Sequence, residues 1–366
     1  MKATKALAWA GAVSIAVLAG VFLIFQGLQD FDLSEYETRP IAFSFDGYSV
    51  AGTLHLPRLQ DSRPANPPLV LIVHGDGPAD RYSGGGYMPL ISRLLDSGLA
   101  VYSWDKPGVG ESQGNWLSFS MEERARLAAT ALATAKEQPE LKTSPAGFLG
   151  FSQAGWVLPI LAEEPAQGDF FVIVGGAVNW LRQAGYYTRR RLDLAGADSK
   201  AIDKTLAQDA KDGQKFLDRD FSYQDYLDSG MDRVPMPEDR FTFARRNAAS
   251  DSTASLARIS SPVLTLHGAE DLNVDPHFNS GIYRKMLTDN NPANRFVIVP
   301  EATHALLRAE AFNYQLEGQM PSWSKALFMV LGRRAYAPGA LDTITIWIKE
   351  QASTANSLST SPDRSN

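Results

Sequence analysis

The sequence predicts an α/β fold in which helices cover both faces of a mostly parallel sheet. The first observation is a set of short, continuous apolar runs, which are typical of strands buried on both faces. These runs cover residues 69–73, 99–104, 147–149, 170–174, 263–266 and 296–299. The second observation is that helical segments separate the runs. Ser120 and Glu123 form a capping-box pattern that predicts a helix extending to about Glu137. Strands and helices that alternate in this way place a parallel sheet between two helical layers.

A hairpin precedes these elements. Apolar residues alternate along residues 41–45, and Asp46-Gly47 is typical of a tight turn. A second strand reaching Leu56 is therefore predicted to pair with the first.

The alternation stops after Gly176 and resumes at Pro262. The intervening residues are rich in charge and include a helical stretch over 203–217, so we expect a helical lid inserted between two strands. An elaborated surface loop is the alternative, although a structureless loop of this length is uncommon. The predicted organisation is an α/β core over 30–176 and 262–352, a lid over 177–261 and a disordered Ser- and Thr-rich tail over 353–366.

Residues 1–29 are predicted to form a membrane anchor or signal segment. Lys2 and Lys5 precede an uncharged run over 6–29, which reaches the roughly 20 apolar residues that a membrane-spanning helix needs. Bulky residues continue through Leu28, so we favour an uncleaved anchor over a cleaved signal peptide and a secreted product. The leading lysines predict an extracytoplasmic catalytic domain, in the periplasm or at the cell surface.

Composition excludes several classes of function. The formal net charge of the 366 residues is -6, and no run of Lys or Arg offers a nucleic-acid footprint. The chain has no cysteine, which excludes disulfides, thiolate ligands and a cysteine nucleophile. The sequence contains no metal cluster, phosphate-binding glycine loop or nicotinamide fingerprint, so we expect neither a metal nor another cofactor.

Ser152 is the candidate nucleophile. It lies in the segment GFLGFSQAGW (147–156), after a predicted strand and before a helical run over 157–163. A serine between small residues at such a turn is typical of a nucleophile elbow, which exposes the hydroxyl. Ala154 stands where a second glycine is usual, and Gly155 follows it. The alternative interpretation is a helix N-cap serine.

A serine hydroxyl needs a neighbouring base, and the imidazole of that base needs an orienting carboxylate. His304 lies in the loop after the last predicted strand. The loop after the preceding strand offers Glu270, Asp271 and Asp275. We assign Asp271 as the orienting acid and keep the other two as alternatives. The chain order Ser, Asp, His supports the joint assignment.

The oxyanion of the tetrahedral intermediate needs amide donors. We expect these donors to be the backbone N–H groups of Asp76 and Gln153. His74 and His267 are interpreted as structural. His277 is the rival base, although a proline precedes it and a helix is predicted to follow.

The sequence resembles the α/β-hydrolase family over residues 41–349. The segments that carry the resemblance are HGDG (74–77), DKPGVGES (105–112), GFSQAG (150–155), GAED (268–271) and His304. In that family the second segment is a structural turn, so Asp105 receives no catalytic role. The run over 74–81 is similar to a bacterial carboxylesterase subgroup related to the serine aminopeptidase (S33-like) and dienelactone hydrolase groups. Dienelactone hydrolases use a cysteine nucleophile, which this chain lacks.

The expected function is hydrolysis of small carboxylic esters through a Ser152, His304, Asp271 triad and an acyl-enzyme. A serine peptidase or amidase using the same triad is the first alternative. A membrane-tethered binding protein without catalysis is the second. The expected partners are a small ester substrate and, through the N-terminal helix, a membrane; the sequence indicates neither the natural substrate nor the oligomeric state.

Overall fold

The structure is a computed structural model that describes residues 18–58, 66–164 and 167–360. Within them, eight strands form one sheet in the order β1-β2-β4-β3-β5-β6-β7-β8. The strands are β1 (Glu37–Phe45), β2 (Tyr48–Leu56), β3 (Leu69–Val73), β4 (Ala100–Trp104), β5 (Ala146–Phe151), β6 (Phe170–Val174), β7 (Val263–Gly268) and β8 (Arg295–Val299). β1 and β2 run antiparallel to their neighbours, and the pairings from β4 to β8 are parallel.

The predicted hairpin is confirmed. Phe45 of β1 pairs with Tyr48 of β2 across the turn, and Asp46 and Gly47 both have positive φ, at 48° and 82°. Two residues in the left-handed region match the twist of the flanking strands, which is why Asp-Gly is favoured at this position.

The helices are α1 (18–29), α2 (Met88–Asp96), α3 (Met121–Lys136), α4 (Ala154–Ala162), α5 (Trp180–Leu194), α6 (Ser199–Lys215), α7 (Tyr223–Ser229), α8 (Glu238–Asn247), α9 (Thr253–Leu256), α10 (Pro276–Leu287), α11 (Ala309–Phe312), α12 (Ser322–Leu331) and α13 (Ala340–Thr360). The predicted capping box opens α3: Ser120 Oγ accepts from Glu123 N–H, and the Glu123 carboxylate accepts from Ser120 N–H. The backbone N–H groups of Ser120 and Glu123, two donors at the start of α3, are thereby satisfied.

Helices cover both faces of the sheet, as predicted. Alternate residues of each parallel strand enter opposite cores, because strand side chains alternate between faces. Leu71 belongs to one core with α3 and α4, whereas Val70 and Ile72 belong to the other with α2 and α13. All five residues of β3 are buried, which explains its continuous apolar run.

Helices α5 to α9 lie between β6 and β7, at the position of the predicted insertion over 177–261. Two phenylalanines of α8 are buried: Phe241 packs against Phe216 of the insertion, and Phe243 packs against Trp116 of the core. The helical stretch predicted over 203–217 is α6, which begins a few residues earlier. The proposed role of this insertion as a lid stays a prediction.

The predicted disordered tail is wrong over residues 353–360, because α13 continues to Thr360. Its buried stripe ends at Ala352, so residues 353–357 continue the helix without entering the core. The hydroxyl of Ser353 donates to Lys349 O at 2.8 Å, a bond within the helix that lets serine join it. Residues 361–366 lie outside the described part of the chain.

The predicted N-terminal anchor falls partly on residues 1–17, which lie outside the described residues. Its described part is α1, whose Gly27 packs so closely on α12 that a Cβ there would overlap Val330 O. At its end, the Asp30 carboxylate accepts from Arg333 N and Nε at 2.6 Å each. Among the helices in the described ranges, none combines the length and apolar character needed to cross a membrane.

Candidate active site

Ser152 occupies the sharp turn between β5 and α4. Its φ of 51° lies in the left-handed region, which a non-glycine residue adopts only where its surroundings enforce it. The Ser152 N–H donates to Val174 O on the neighbouring strand at 2.8 Å. The turn therefore has the strained strand-to-helix geometry predicted for a nucleophile elbow.

Small residues make this turn possible. Ala154 stands where a second glycine is usual, and it faces Gly150. A Cβ on Gly150 would lie only 2.5 Å from Ala154 Cβ, so the glycine at position 150 makes room for this alanine. A Cβ on Gly155 would lie 2.7 Å from Gly176 Cα, which explains the glycine that follows. The two glycines let α4 begin directly against the neighbouring chain segments.

His304 lies in the loop after β8, at the same edge of the sheet as Ser152, since both follow parallel strands. Thr303 and Leu307 form a tight turn around it: Thr303 N–H donates to Leu307 O at 2.8 Å, and Leu307 N–H donates to Thr303 Oγ1 at 3.1 Å. The imidazole packs against Gly175, where a Cβ would lie 2.8 Å from His304 Nδ1. Its side chain is 19% exposed, so one part of the ring remains accessible.

The structure pairs His304 with Asp271 and with neither alternative acid. His304 Nδ1 lies 2.7 Å from Asp271 Oδ2. Asp271 Oδ1 accepts the backbone N–H groups of Asn273 at 2.7 Å and Val274 at 2.9 Å. Burial lowers the pKa of His304, but the charge and hydrogen bond of Asp271 outweigh this effect and raise the pKa above its ordinary value.

The remaining candidates lie elsewhere. Glu270 is exposed, and Asp275 caps α10 by accepting N–H bonds. His277 is exposed on the first turn of α10. His74 and His267 are buried; each pairs with a backbone carbonyl through Nε2, and burial lowers both pKa values, that of His74 to about 3. This placement agrees with the structural roles expected for both.

Gly268 joins the loops that carry His304 and Asp271. A Cβ at this position would overlap the carbonyl oxygens of Ala302 and Thr303. The next residues continue the contact, because Glu270 N–H donates to Ala302 O at 2.9 Å. The glycine of the GAED segment thus permits the close approach that brings acid and imidazole together.

The predicted oxyanion residues flank Ser152. Gln153 follows it at the start of α4, and Asp76 lies in the loop after β3. The neighbouring Gly75 contacts the nucleophile, since a Cβ there would lie 3.2 Å from Ser152 Cβ. The side chains of the two predicted donors also meet: Gln153 Nε2 donates to Asp76 Oδ1 at 3.2 Å.

Sequence reasoning missed Lys106, which supports this loop. Lys106 is buried, and its Nζ donates to Gly75 O at 2.6 Å and to Gly77 O at 2.7 Å. Burial lowers its pKa well below the ordinary value. The only available signal was a basic residue in the DKPG segment, where the resemblance indicated no more than a structural turn. Asp105 is indeed structural, with its carboxylate bound by Arg81 at 2.6 Å.

No hydrogen bond joins Ser152 Oγ to His304 among the described residues. The hydrogen bonds of such a site are often long in the free enzyme and tighten only when substrate binds. With Nδ1 directed at Asp271, the ring nitrogen left to face a reacting hydroxyl is Nε2.

The family model for serine aminopeptidase, S33, matches residues 65–311. The chain belongs to this family of hydrolases. The match includes the segments that carry all five candidate site residues. No curated protein is significantly similar to this S33-family chain in sequence.

Solved structures show that the S33-family chain has the α/β-hydrolase fold. An esterase from Pyrococcus furiosus is 16% identical, with a TM-score of 0.50 over 83% of this chain and 93% of that one. Est1E from Butyrivibrio proteoclasticus, solved with ferulic acid bound, is 14% identical, with a TM-score of 0.51 over 87% and 99% of the two chains. DcsB, in complex with its substrate analogue, is 14% identical, with a TM-score of 0.52 over 87% and 99%. At these identities the likeness concerns the fold alone.

Proposed function

We propose that this hydrolase cleaves small carboxylic esters, with Ser152 as nucleophile, His304 as base and Asp271 as the orienting acid. The observation that carries the proposal is the pairing of a fully buried Asp271 side chain with His304, at the sheet edge where the strained Ser152 turn lies. A buried carboxylate at 2.7 Å stabilises the imidazolium that forms when the base takes a proton.

The proposed reaction has two halves. Ser152 Oγ attacks the ester carbonyl carbon while His304 Nε2 accepts the hydroxyl proton, and the carbonyl electron pair moves to oxygen. The intermediate collapses to an acyl-enzyme as the alcohol leaves with the proton from His304. Water then repeats the sequence at the acyl carbon and releases the carboxylic acid and free Ser152.

The backbone N–H groups of Asp76 and Gln153 are the proposed donors to the oxyanion. Two features support them: Gly75 lies against Ser152, and Gln153 directly follows it. Donors held in place before the reaction stabilise the developing charge without reorganisation.

Peptide or amide cleavage on the same triad is the second candidate, favoured by the serine aminopeptidase description of the matching family. The two candidates differ in the leaving group, since an amine must be protonated as it departs. A panel of p-nitrophenyl esters of increasing acyl length, assayed beside aminoacyl p-nitroanilides, separates them. Turnover of the esters without measurable turnover of any anilide supports the proposal, whereas turnover of an anilide supports a peptidase, because an activated ester is the easier substrate for either enzyme.

A further inference from the structure

Helix α8 of the insertion reaches across to the loop that carries Asp76. Arg240 Nη1 donates to Asp76 Oδ1 at 2.9 Å, and Nη2 donates to Oδ2 at 2.7 Å. This is a bidentate arrangement, the geometry in which a guanidinium fixes both position and orientation of a carboxylate. The guanidinium is further placed by aromatic rings, with its Cζ 5.2 Å from the Phe243 ring and 5.8 Å from the Trp116 ring.

The Asp76 carboxylate also forms a hydrogen bond with Gln153, the residue after the nucleophile. Its Oδ1 also accepts from Gln153 Nε2 at 3.2 Å, and Gln153 Oε1 accepts from Arg124 Nη1. Arg124 in turn donates to His74 O at 2.6 Å, at the start of the same loop. The side chains of the two proposed oxyanion donors are therefore linked to each other and to Arg240.

Lys106 fixes the peptide group between these contacts. Because it holds Gly75 O, the Asp76 N–H of the same trans peptide must point away from Lys106. Arg240 then determines where the Asp76 side chain lies. Burial opposes ionisation of Asp76, but the hydrogen bonds and charge of Arg240 outweigh it and lower its pKa to about 2, so the pair is fully charged at neutral pH.

We propose that Arg240 is a positioning residue for the oxyanion hole, which couples docking of the α8 segment of the insertion to catalytic competence. This role rests on the proposed function. Arg240 acts through Asp76 and Gln153, holding their backbone N–H groups in the arrangement that receives the oxyanion. A displacement of α8 would remove both guanidinium bonds from the carboxylate and this restraint from the loop beside Ser152.

The chain offers a matched control on the same helix. Arg246 of α8 pairs with Glu123 on the core at 3.1 Å and donates to Ser118 O, but it touches neither Asp76 nor Gln153. Both arginines hold α8 to the core through partly exposed ion pairs. A general effect on docking or folding should therefore appear in both Arg240→Gln and Arg246→Gln.

The experiment compares these variants in the full chain, measuring kcat and KM for a p-nitrophenyl ester, the melting temperature, and the affinity for a phenylboronic acid. A boronic acid forms a tetrahedral adduct with the serine and so reports on the oxyanion hole. We expect Arg240→Gln to lower kcat and boronate affinity in parallel by about 10-fold, less than the loss of a donor itself, with KM nearly unchanged. Arg246→Gln should stay within about twofold of the wild type in both.

Two further variants keep the proposal falsifiable if Arg240→Gln folds poorly. Arg240→Lys keeps the charge but not the bidentate geometry, and should fall between the wild type and Arg240→Gln. Asp76→Asn should match Arg240→Gln in kcat, and the double variant should lose nothing more, because Arg240 acts through Asp76.

An active wild type whose Arg240 variants keep full kcat and boronate affinity would overturn this role alone. Equal losses in Arg240→Gln and Arg246→Gln would overturn it too, since they indicate a general docking effect. A wild type that hydrolyses neither esters nor anilides would instead overturn the proposed function.

Discussion

Asp271 Oδ2 lies 2.7 Å from His304 Nδ1, and the Asp271 side chain is wholly buried whereas the imidazole is 19% exposed. One carboxylate oxygen of Asp271 therefore faces His304, and the other accepts hydrogen bonds from two backbone N–H groups. This arrangement fixes the ring orientation and leaves Nε2 as the ring nitrogen that does not face Asp271. The relationship determines how the site should respond to pH.

Ester hydrolysis should increase with pH, because the proposed base must be neutral to accept a proton. Asp271 raises the pKa of His304 above 6.5, so the midpoint of the rise in kcat/KM should lie above pH 6.5. Asp271→Asn removes the charge that raises this pKa and leaves burial, which lowers it. We expect its midpoint to move to lower pH, with kcat reduced by about three to four powers of ten. A midpoint that stays unchanged in Asp271→Asn would contradict the pairing; pH–rate profiles measure it.

Gly268→Ala should separate the loops that carry His304 and Asp271. The added Cβ overlaps two backbone carbonyls, which cannot move as a flexible side chain can. We expect a loss of about 1–3 kcal/mol in the free energy of unfolding, as for other overpacked sites, together with a fall in kcat. Gly281→Ala is the control: it lies in α10 with open space around its Cβ, and should be neutral or stabilising by up to about 1 kcal/mol. Denaturant unfolding and ester assays test both, and wild-type activity in Gly268→Ala would contradict the expected loop contact.

Short acyl esters should be preferred over long ones. The insertion carries exposed charges, among them Arg189, Arg191, Lys211, Lys215 and Asp218. A lid that binds long lipid chains would usually present a larger apolar surface. Turnover of p-nitrophenyl esters from acetate to palmitate measures this preference. Faster hydrolysis of long-chain than of butyrate-length esters would overturn it.

Much of the core could be predicted from sequence because its signals are local. The Asp46-Gly47 turn, the Ser120 capping box and the Ser152 turn each depend on a few adjacent residues, and the structure has all three. Lys106 and Arg240 escaped prediction because their partners lie 31 and 164 residues away. No local sequence pattern indicates such contacts, because the partner residues are distant in the chain and only the fold brings them together. The tail was mispredicted because Ser and Thr content does not reveal that the hydroxyls of Ser353 and Thr354 bond to carbonyls of the preceding helical turn.

The catalytic domain should fractionate with membranes and face away from the cytoplasm. The motivation is the uncharged run over 6–29 behind Lys2 and Lys5, since positive residues tend to stay on the cytoplasmic side. The membrane pellet of intact cells should contain the enzyme, and added protease should digest it once any outer barrier is opened. A soluble form beginning near Gln29 would indicate signal cleavage instead. Protection from protease would reverse the proposed topology.

Covalent labelling of Ser152 tests the proposed chemistry most directly. A fluorophosphonate probe, which loses fluoride when an activated serine attacks its phosphorus, should label the wild type at Ser152, as located by peptide mass spectrometry. Ser152→Ala should keep its fold by circular dichroism, fail to label, and lose about 10⁴-fold or more in ester turnover; His304→Ala should behave alike. Labelling at another residue, or Ser152→Ala turnover above about a tenth of the wild-type value, would contradict the assignment.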